Sequence, residues 1–168
     1  MLLGNEQIKN VNILVATKEE LRIRKIKEGT VIDHITAGHA LSVLRILGTV
    51  GKENVVSIAI NVPSHKLGKK DIVKVENREL SAEEVDKIAL IAPKAKINII
   101  RNYMVVEKQQ VKLPKSIRGM LKCENMICIS NGKEPIQSTF FLEREDPLRI
   151  RCYYCNRIME KDDILKQF

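Results

Sequence analysis

The chain has 168 residues, room for one medium domain or two small ones, and is 44% hydrophobic but only 4% aromatic, with no tryptophan. A net charge of +8 and an isoelectric point near 9.4 suit an anionic partner such as a nucleotide, a nucleic acid or a membrane surface. No apolar run approaches the roughly 18 residues that would span a bilayer. The opening Met1 to Glu6 is too short and polar for a secretory core, so a soluble cytoplasmic protein is expected.

Residues 1–18 carry no sustained period and are read as an extension of unknown role. Residues 20–27 alternate Leu21 and Ile23 with basic neighbours, as a half-buried strand does, before a turn at Gly29 and a run through Val31 and Ile32 to Asp33 and His34. Thr36 is placed to cap a helix with Ala40, Leu41, Val43, Leu44 and Leu47 on its apolar face and Gly48 at its end. A strand over 54–61 ends at Pro63, a loop follows to Lys70, and another strand begins at Ile72. Ser81 and Glu84 form a capping box for a helix through Val85, Ile88, Ala89 and Ile91, stopped by Pro93. The segment from Lys96 to Glu107 reads as one final strand, interrupted near Arg101 and Asn102.

This order, strand-helix-strand-strand-helix-strand, predicts an α+β protein: a ferredoxin-like sheet with two helices on one face. The polar run from Lys108 to Ser116 has no period, contains Pro114, and is read as a hinge. It divides the chain into residues 1–112 and residues 113–168. The second part is expected to be a small antiparallel β domain with strands near 119–123, 127–130, 138–144 and 148–152 and a short helix at 161–167.

All four cysteines of the chain lie in that second part, as two short-spaced pairs: Cys123 with Cys128, and Cys152 with Cys155. Two such pairs can present four thiolates to one zinc ion, a closed shell that leaves no position for water or substrate. A pair of disulfides is the competing reading, disfavoured because no secretory signal or wider cysteine framework accompanies it. A unit of some fifty residues buries little apolar surface, and a structural metal is a common remedy.

Enzyme readings are weak. No G-x-G-x-x-G or G-x-x-x-x-G-K-[ST] phosphate loop is present, and the cysteines are committed to metal. Asp33 and His34 are adjacent in a strand segment, where neighbours point to opposite faces, so they make a poor catalytic pair. Binding suits them better: an aspartate accepts from ribose hydroxyls, a histidine donates to phosphate, and Lys74 and Lys108 can neutralise a triphosphate.

Several strings, in order, resemble the regulatory chain of aspartate carbamoyltransferase. They are G-T-V-I-D-H-I at 29–35, N-V-P-S at 61–64, G-K-K-D-I-V-K-V-E-N at 68–77, L-S-A-E-E-V-D-K-I-A-L-I-A-P at 80–93 and I-N-I-I-R-N-Y-M-V-V at 97–106. C-E-N-M-I-C-I-S and C-Y-Y-C extend the match, which covers roughly residues 20–160. The resemblance implies a non-catalytic subunit in pyrimidine biosynthesis. An N-terminal allosteric domain would bind CTP and ATP, and a zinc domain would dock on the catalytic chain. Regulatory dimers would bridge catalytic trimers. By the same resemblance, Asp33 and Lys74 would hold the ribose, and His34 and Lys108 would meet the phosphates, with Asn98 near them. The main chain of Ile26 and Tyr103 would read the base, walled by Ile23 and Val105. Glu20 departs from the pattern, standing where well-studied bacterial members carry a lysine, with Arg22 and Arg24 nearby to compensate.

The alternative from another class is a zinc-ribbon nucleic-acid-binding protein. Basic residues are not concentrated beside the cysteines, however. The aromatic residues there, Phe140, Phe141, Tyr153 and Tyr154, are expected to pack the small core or a partner surface.

Overall fold

The computed structural model describes residues 24–48, 54–133 and 135–168. The strand expected over 20–27 lies partly outside them. Its described part, 24–27, is not a strand. The first described strand is β1 (Gly29–Thr36), followed by α1 (Ala40–Leu47), β2 (Val56–Ser64), β3 (Gly68–Glu76), α2 (Ala82–Ile91), β4 (Lys96–Arg101) and β5 (Met104–Gln110). These strands form one antiparallel sheet in the order β2-β3-β1-β4-β5. The first four keep the ferredoxin-like order and β5 is added at the edge. β1 has strands on both sides and mixes buried and half-buried positions, so it lacks the clean alternation that marks a half-exposed strand.

The expected loop from Pro63 to Lys70 is mostly strand. Pro63 belongs to β2, an edge strand where a missing N–H interrupts no ladder. Only His65–Leu67 turn. The single strand expected over 96–107 is two strands. Asn102 and Tyr103 both have positive φ, 49° and 64°, the backbone of a tight two-residue hairpin. Asn-Tyr is a weaker signal for that turn than Asn-Gly, because tyrosine gains nothing from the left-handed region.

Both helices lie on one face of the sheet. Ile32, Ile35, Val73, Val75 and Ile97 of the strands pack with Ala40, Val43 and Leu47 of α1 and with Ile88, Ala89 and Ile91 of α2. The capping box on α2 forms as expected: Ser81 Oγ accepts from the Glu84 N–H at 3.2 Å and Glu84 Oε2 accepts from the Ser81 N–H at 2.9 Å. The expected Thr36 cap on α1 does not. Thr36 ends β1, and the buried Asp71 of β3 reaches across to accept from the Gly38 and Ala40 N–H groups at 2.8 and 3.1 Å. Its other oxygen accepts from the Asn61 N–H at 2.9 Å. One carboxylate thus closes a helix start and a bulge in β2.

The second sheet has the order β6-β7-β8-β9: β6 (Ser116–Arg118), β7 (Thr139–Arg144), β8 (Arg149–Cys152) and β9 (Ile158–Glu160). α3 (Lys161–Leu165) follows. The strand expected near 119–123 sits earlier, at β6, and in place of the one expected near 127–130 a turn leads into a short 3₁₀ helix at Ile129–Asn131, because metal-loop geometry takes up both segments. Its core joins Ile117, Phe140, Ile150, Met159 and Ile164 to the cysteines and to Leu90 of α2. Of the expected hinge, Lys108–Gln110 belong to β5, Val111 is buried with its N–H on the Ala95 carbonyl, and Leu113 packs on both cores. The connection is a packed joint.

Candidate nucleotide face and metal centre

The four Sγ atoms lie within 4.8 Å of one another, Cys123 to Cys155 at 3.5 Å and Cys128 to Cys152 at 3.8 Å, with no disulfide between them. A tetrahedron of thiolates about 2.3 Å from a zinc ion has sulfur-sulfur edges near 3.8 Å, so the donor set fits a four-thiolate metal. Two loops build it. In the first, Asn131 Nδ2 donates to the carbonyls of Cys123 and Asn125 at 2.7 and 2.9 Å, and the Cys128 N–H returns to the Asn125 carbonyl. In the second, the Asn156 N–H donates to the Cys152 carbonyl, with Asn156 at φ 58° closing the turn. Arg157 pairs with Glu124 at 2.9 Å across the loops.

Burial pushes the Cys123 and Cys152 thiols up. Burial also opposes ionisation of Cys155, but the Arg157 backbone N–H and the Asn125 side chain outweigh it and bring this thiol to about 7. Without a cation Cys123 and Cys152 hold their protons, so metal binding here is coupled to proton release.

The face of the five-stranded sheet left free by the described helices gathers most of the other expected residues. Lys74 of β3 lies opposite Val31 of β1, Val31 opposite Asn98 of β4, and Asn98 opposite Lys108 of β5. Directly opposed residues share a face, so the two lysines flank Asn98 in one row. Asp33 sits two residues along β1 on the same face. Lys74 Nζ donates to the Arg24 carbonyl at 2.7 Å, and burial lowers the pKa of its ammonium. Asn98 Nδ2 reaches the Val31 carbonyl at 3.3 Å.

Asp33 is held by Lys70 Nζ, 2.7 and 3.0 Å from its two oxygens, and accepts from the His34 N–H at 2.7 Å. Burial raises its pKa, but the Lys70 hydrogen bond and charge with the His34 N–H outweigh this, and the net shift is downward. His34 lies in a β1 bulge at φ 59°, its Nδ1 2.9 Å from the Asp33 carboxylate but not in hydrogen-bonding geometry. The bulge breaks the strict alternation that would have separated the pair.

Val105 pairs with Ile100 and stands exposed beside the row. Ile26 is buried yet belongs to neither core, as expected of a residue covering the helix-free face. Tyr103 is 59% exposed at the hairpin turn, its N–H spent on the Lys27 carbonyl at 3.0 Å. Ile23, Glu20 and Arg22 fall outside the described residues. Lys70 was missed by reading its segment as loop. The alternation Lys70, Ile72, Lys74 of a longer β3 would have revealed it.

Residues 21–112 match the family model for the aspartate carbamoyltransferase regulatory chain, allosteric domain, and residues 115–165 match that for its metal-binding domain. The chain belongs to the aspartate carbamoyltransferase regulatory-chain family. It is 55% identical to the regulatory chain of Korarchaeum cryptofilum over 89% of its length and 97% of that protein. Identity is 53% to that of Methanothermobacter thermautotrophicus, over 89% of this chain and 96% of the relative, and 58% to that of Methanoculleus marisnigri, over 86% and 91%. This is a regulatory chain, then, with an allosteric and a metal-binding domain. The family match favours this reading over the nucleic-acid alternative. Phe140 is core, Phe141, Tyr153 and Tyr154 stack edge to face on one another, and Arg149 and Arg151 are bridged to Glu143.

Proposed function

We propose that this regulatory chain binds CTP and ATP on the helix-free face of its five-stranded sheet, and that a zinc-folded second domain carries the effect to the catalytic chain. The row of Lys74, Asn98 and Lys108, with Asp33 beside it, supports the nucleotide reading. It offers two ammonium groups to an anionic ligand, with a carboxylate and an amide as hydrogen-bonding partners, on a face that no described helix covers. Asp33 and Lys74 hold the ribose, His34 and Lys108 meet the phosphates, and the main chain at Ile26 and Tyr103 reads the base.

For the metal, four thiolates are a soft donor set suited to zinc, and Cys123, Cys128, Cys152 and Cys155 would all be used in holding it. Its contribution would be folding the two loops. Met126 and Ile127, 89% and 92% exposed between the first two cysteines, would offer the catalytic chain an apolar contact. At the other end of the molecule β5 is an edge strand with Met104, Val105 and Val106 exposed, suited to pairing with a second copy in a regulatory dimer.

An effector shifts an equilibrium only by its differential affinity for two states, so the nucleotide must favour one packing of the two domains over another. Isothermal titration with CTP tests the site. Lys74→Ala and Lys108→Ala each remove one charge-assisted contact and should weaken binding by about tenfold or more. Unchanged affinity in both variants would place the nucleotide elsewhere.

A further inference from the structure

A cavity of about 670 Å³ opens between the two domains, lined by none of the nucleotide-face residues or cysteines. The end of β1, the start of β3 and the end of α2 make one wall, and the β7-β8 turn with the start of α3 makes the other. Its accessible apolar surface comes from the half-buried Leu67 and Leu113, with the buried Leu90 and Leu148 behind them. Around it stand three ammonium groups, Lys69, Lys94 and Lys161, and two carboxylates, Glu145 and Asp146.

Several carboxylates elsewhere recruit cations: Asp33 takes Lys70, Glu84 takes Arg78, Glu124 takes Arg157. The five charged side chains around this cavity form no ion pair or side-chain hydrogen bond among the described residues. Lys69, Lys94, Glu145 and Asp146 are exposed at its rim and Lys161 alone is half-buried, so the one charged group partly withdrawn from solvent at this cavity is cationic. The volume falls within the range of sites for small organic ligands, about 300–1,000 Å³.

We propose that this interdomain cleft is a second ligand site, taking an organic anion whose apolar body rests on Leu67 and Leu113 and whose charged group meets Lys94 and Lys161. Lys94 comes from the allosteric-domain wall and Lys161 from the metal-domain wall. A ligand held by both favours one spacing of the walls and biases the domain packing without touching the nucleotide face. Any coupling to nucleotide rests on the function proposed above, but the site does not.

The probe is 1-anilinonaphthalene-8-sulfonate, an aromatic sulfonate, titrated by fluorescence into the zinc-loaded full chain. One saturable site per chain is expected. Its dissociation constant should rise at least tenfold in Lys94→Glu/Lys161→Glu and also in Lys94→Met/Lys161→Met, which keeps the apolar stems. Lys74→Ala and Met126→Ser/Ile127→Ser should leave it unchanged. Circular dichroism and melting of the same double variants show that they are folded, and CTP titration reads the nucleotide site separately. Unaltered probe binding in both lysine double variants would overturn the proposal, as would loss of binding in Met126→Ser/Ile127→Ser.

Discussion

Asp71 carries more of the fold than its single position suggests. It is a fully buried carboxylate satisfied by three backbone donors, from Gly38, Ala40 and Asn61, that no other side chain serves. Asp71→Ala strands those N–H groups in the interior, where an orphaned hydrogen-bonding group costs about 1–3 kcal/mol. A loss of about 3 kcal/mol or more is expected in urea denaturation, with Asp71→Asn milder because one oxygen remains. Asp33 makes a pH-dependent contribution of predictable sign. Its folded pKa lies below the ordinary 3.8, so its stabilisation is fully present above that value and is lost as pH falls through the depressed one. Urea midpoints followed down in pH should fall more steeply through this acid window for the wild-type chain than for Asp33→Asn. Equal slopes would show that the Lys70 contact does not persist in solution. At this scale the sequence was legible where chemistry is local. Asp33 and Lys74 were singled out by their binding chemistry and Asn98 by the resemblance, whereas Asp71 gave no signal, because its partners are 10 to 33 residues away.

Among the elements, α2 was read almost residue for residue, since its start is written in the Ser81 and Glu84 spacing. Glu84 also binds Arg78, whose other nitrogen donates to the Leu47 carbonyl at 2.9 Å, so one arginine ties the start of α2 to the end of α1. Ser81→Ala should cost about 1 kcal/mol, visible as a small drop in melting temperature with CTP affinity unaltered. The start of α1 was misread because its cap is tertiary, and the β4-β5 hairpin was fused into one strand because Asn102 and Tyr103 lack a glycine. That error hid a strand of the sheet. It also hid the edge on which Val105 and Lys108 sit.

For the whole molecule, the cysteine spacing disclosed the metal loops because thiolate geometry is short-range. The ferredoxin-like order followed from element succession. The packing of one domain on the other left no such trace: Leu90 reads as an ordinary face residue of α2, yet it completes the core of the second domain, and Leu165 and Phe168 reach back to the first. Chelation tests the division of labour. Stripping the metal should unfold the second domain and abolish complex formation with catalytic trimers on a sizing column, while CTP still binds. Co-elution of metal-free chain with the trimers would show that the loops hold without a metal.

The shared position of Leu90 also bears on how the molecule can be dissected. A fragment ending at residue 112 would retain its sheet and both helices but turn Leu90, normally fully covered, toward water together with the surface that receives Leu165 and Phe168. Such a fragment should be monodisperse only when dilute and should grow in light scattering as it is concentrated. Leu90→Lys would be the change that keeps it soluble.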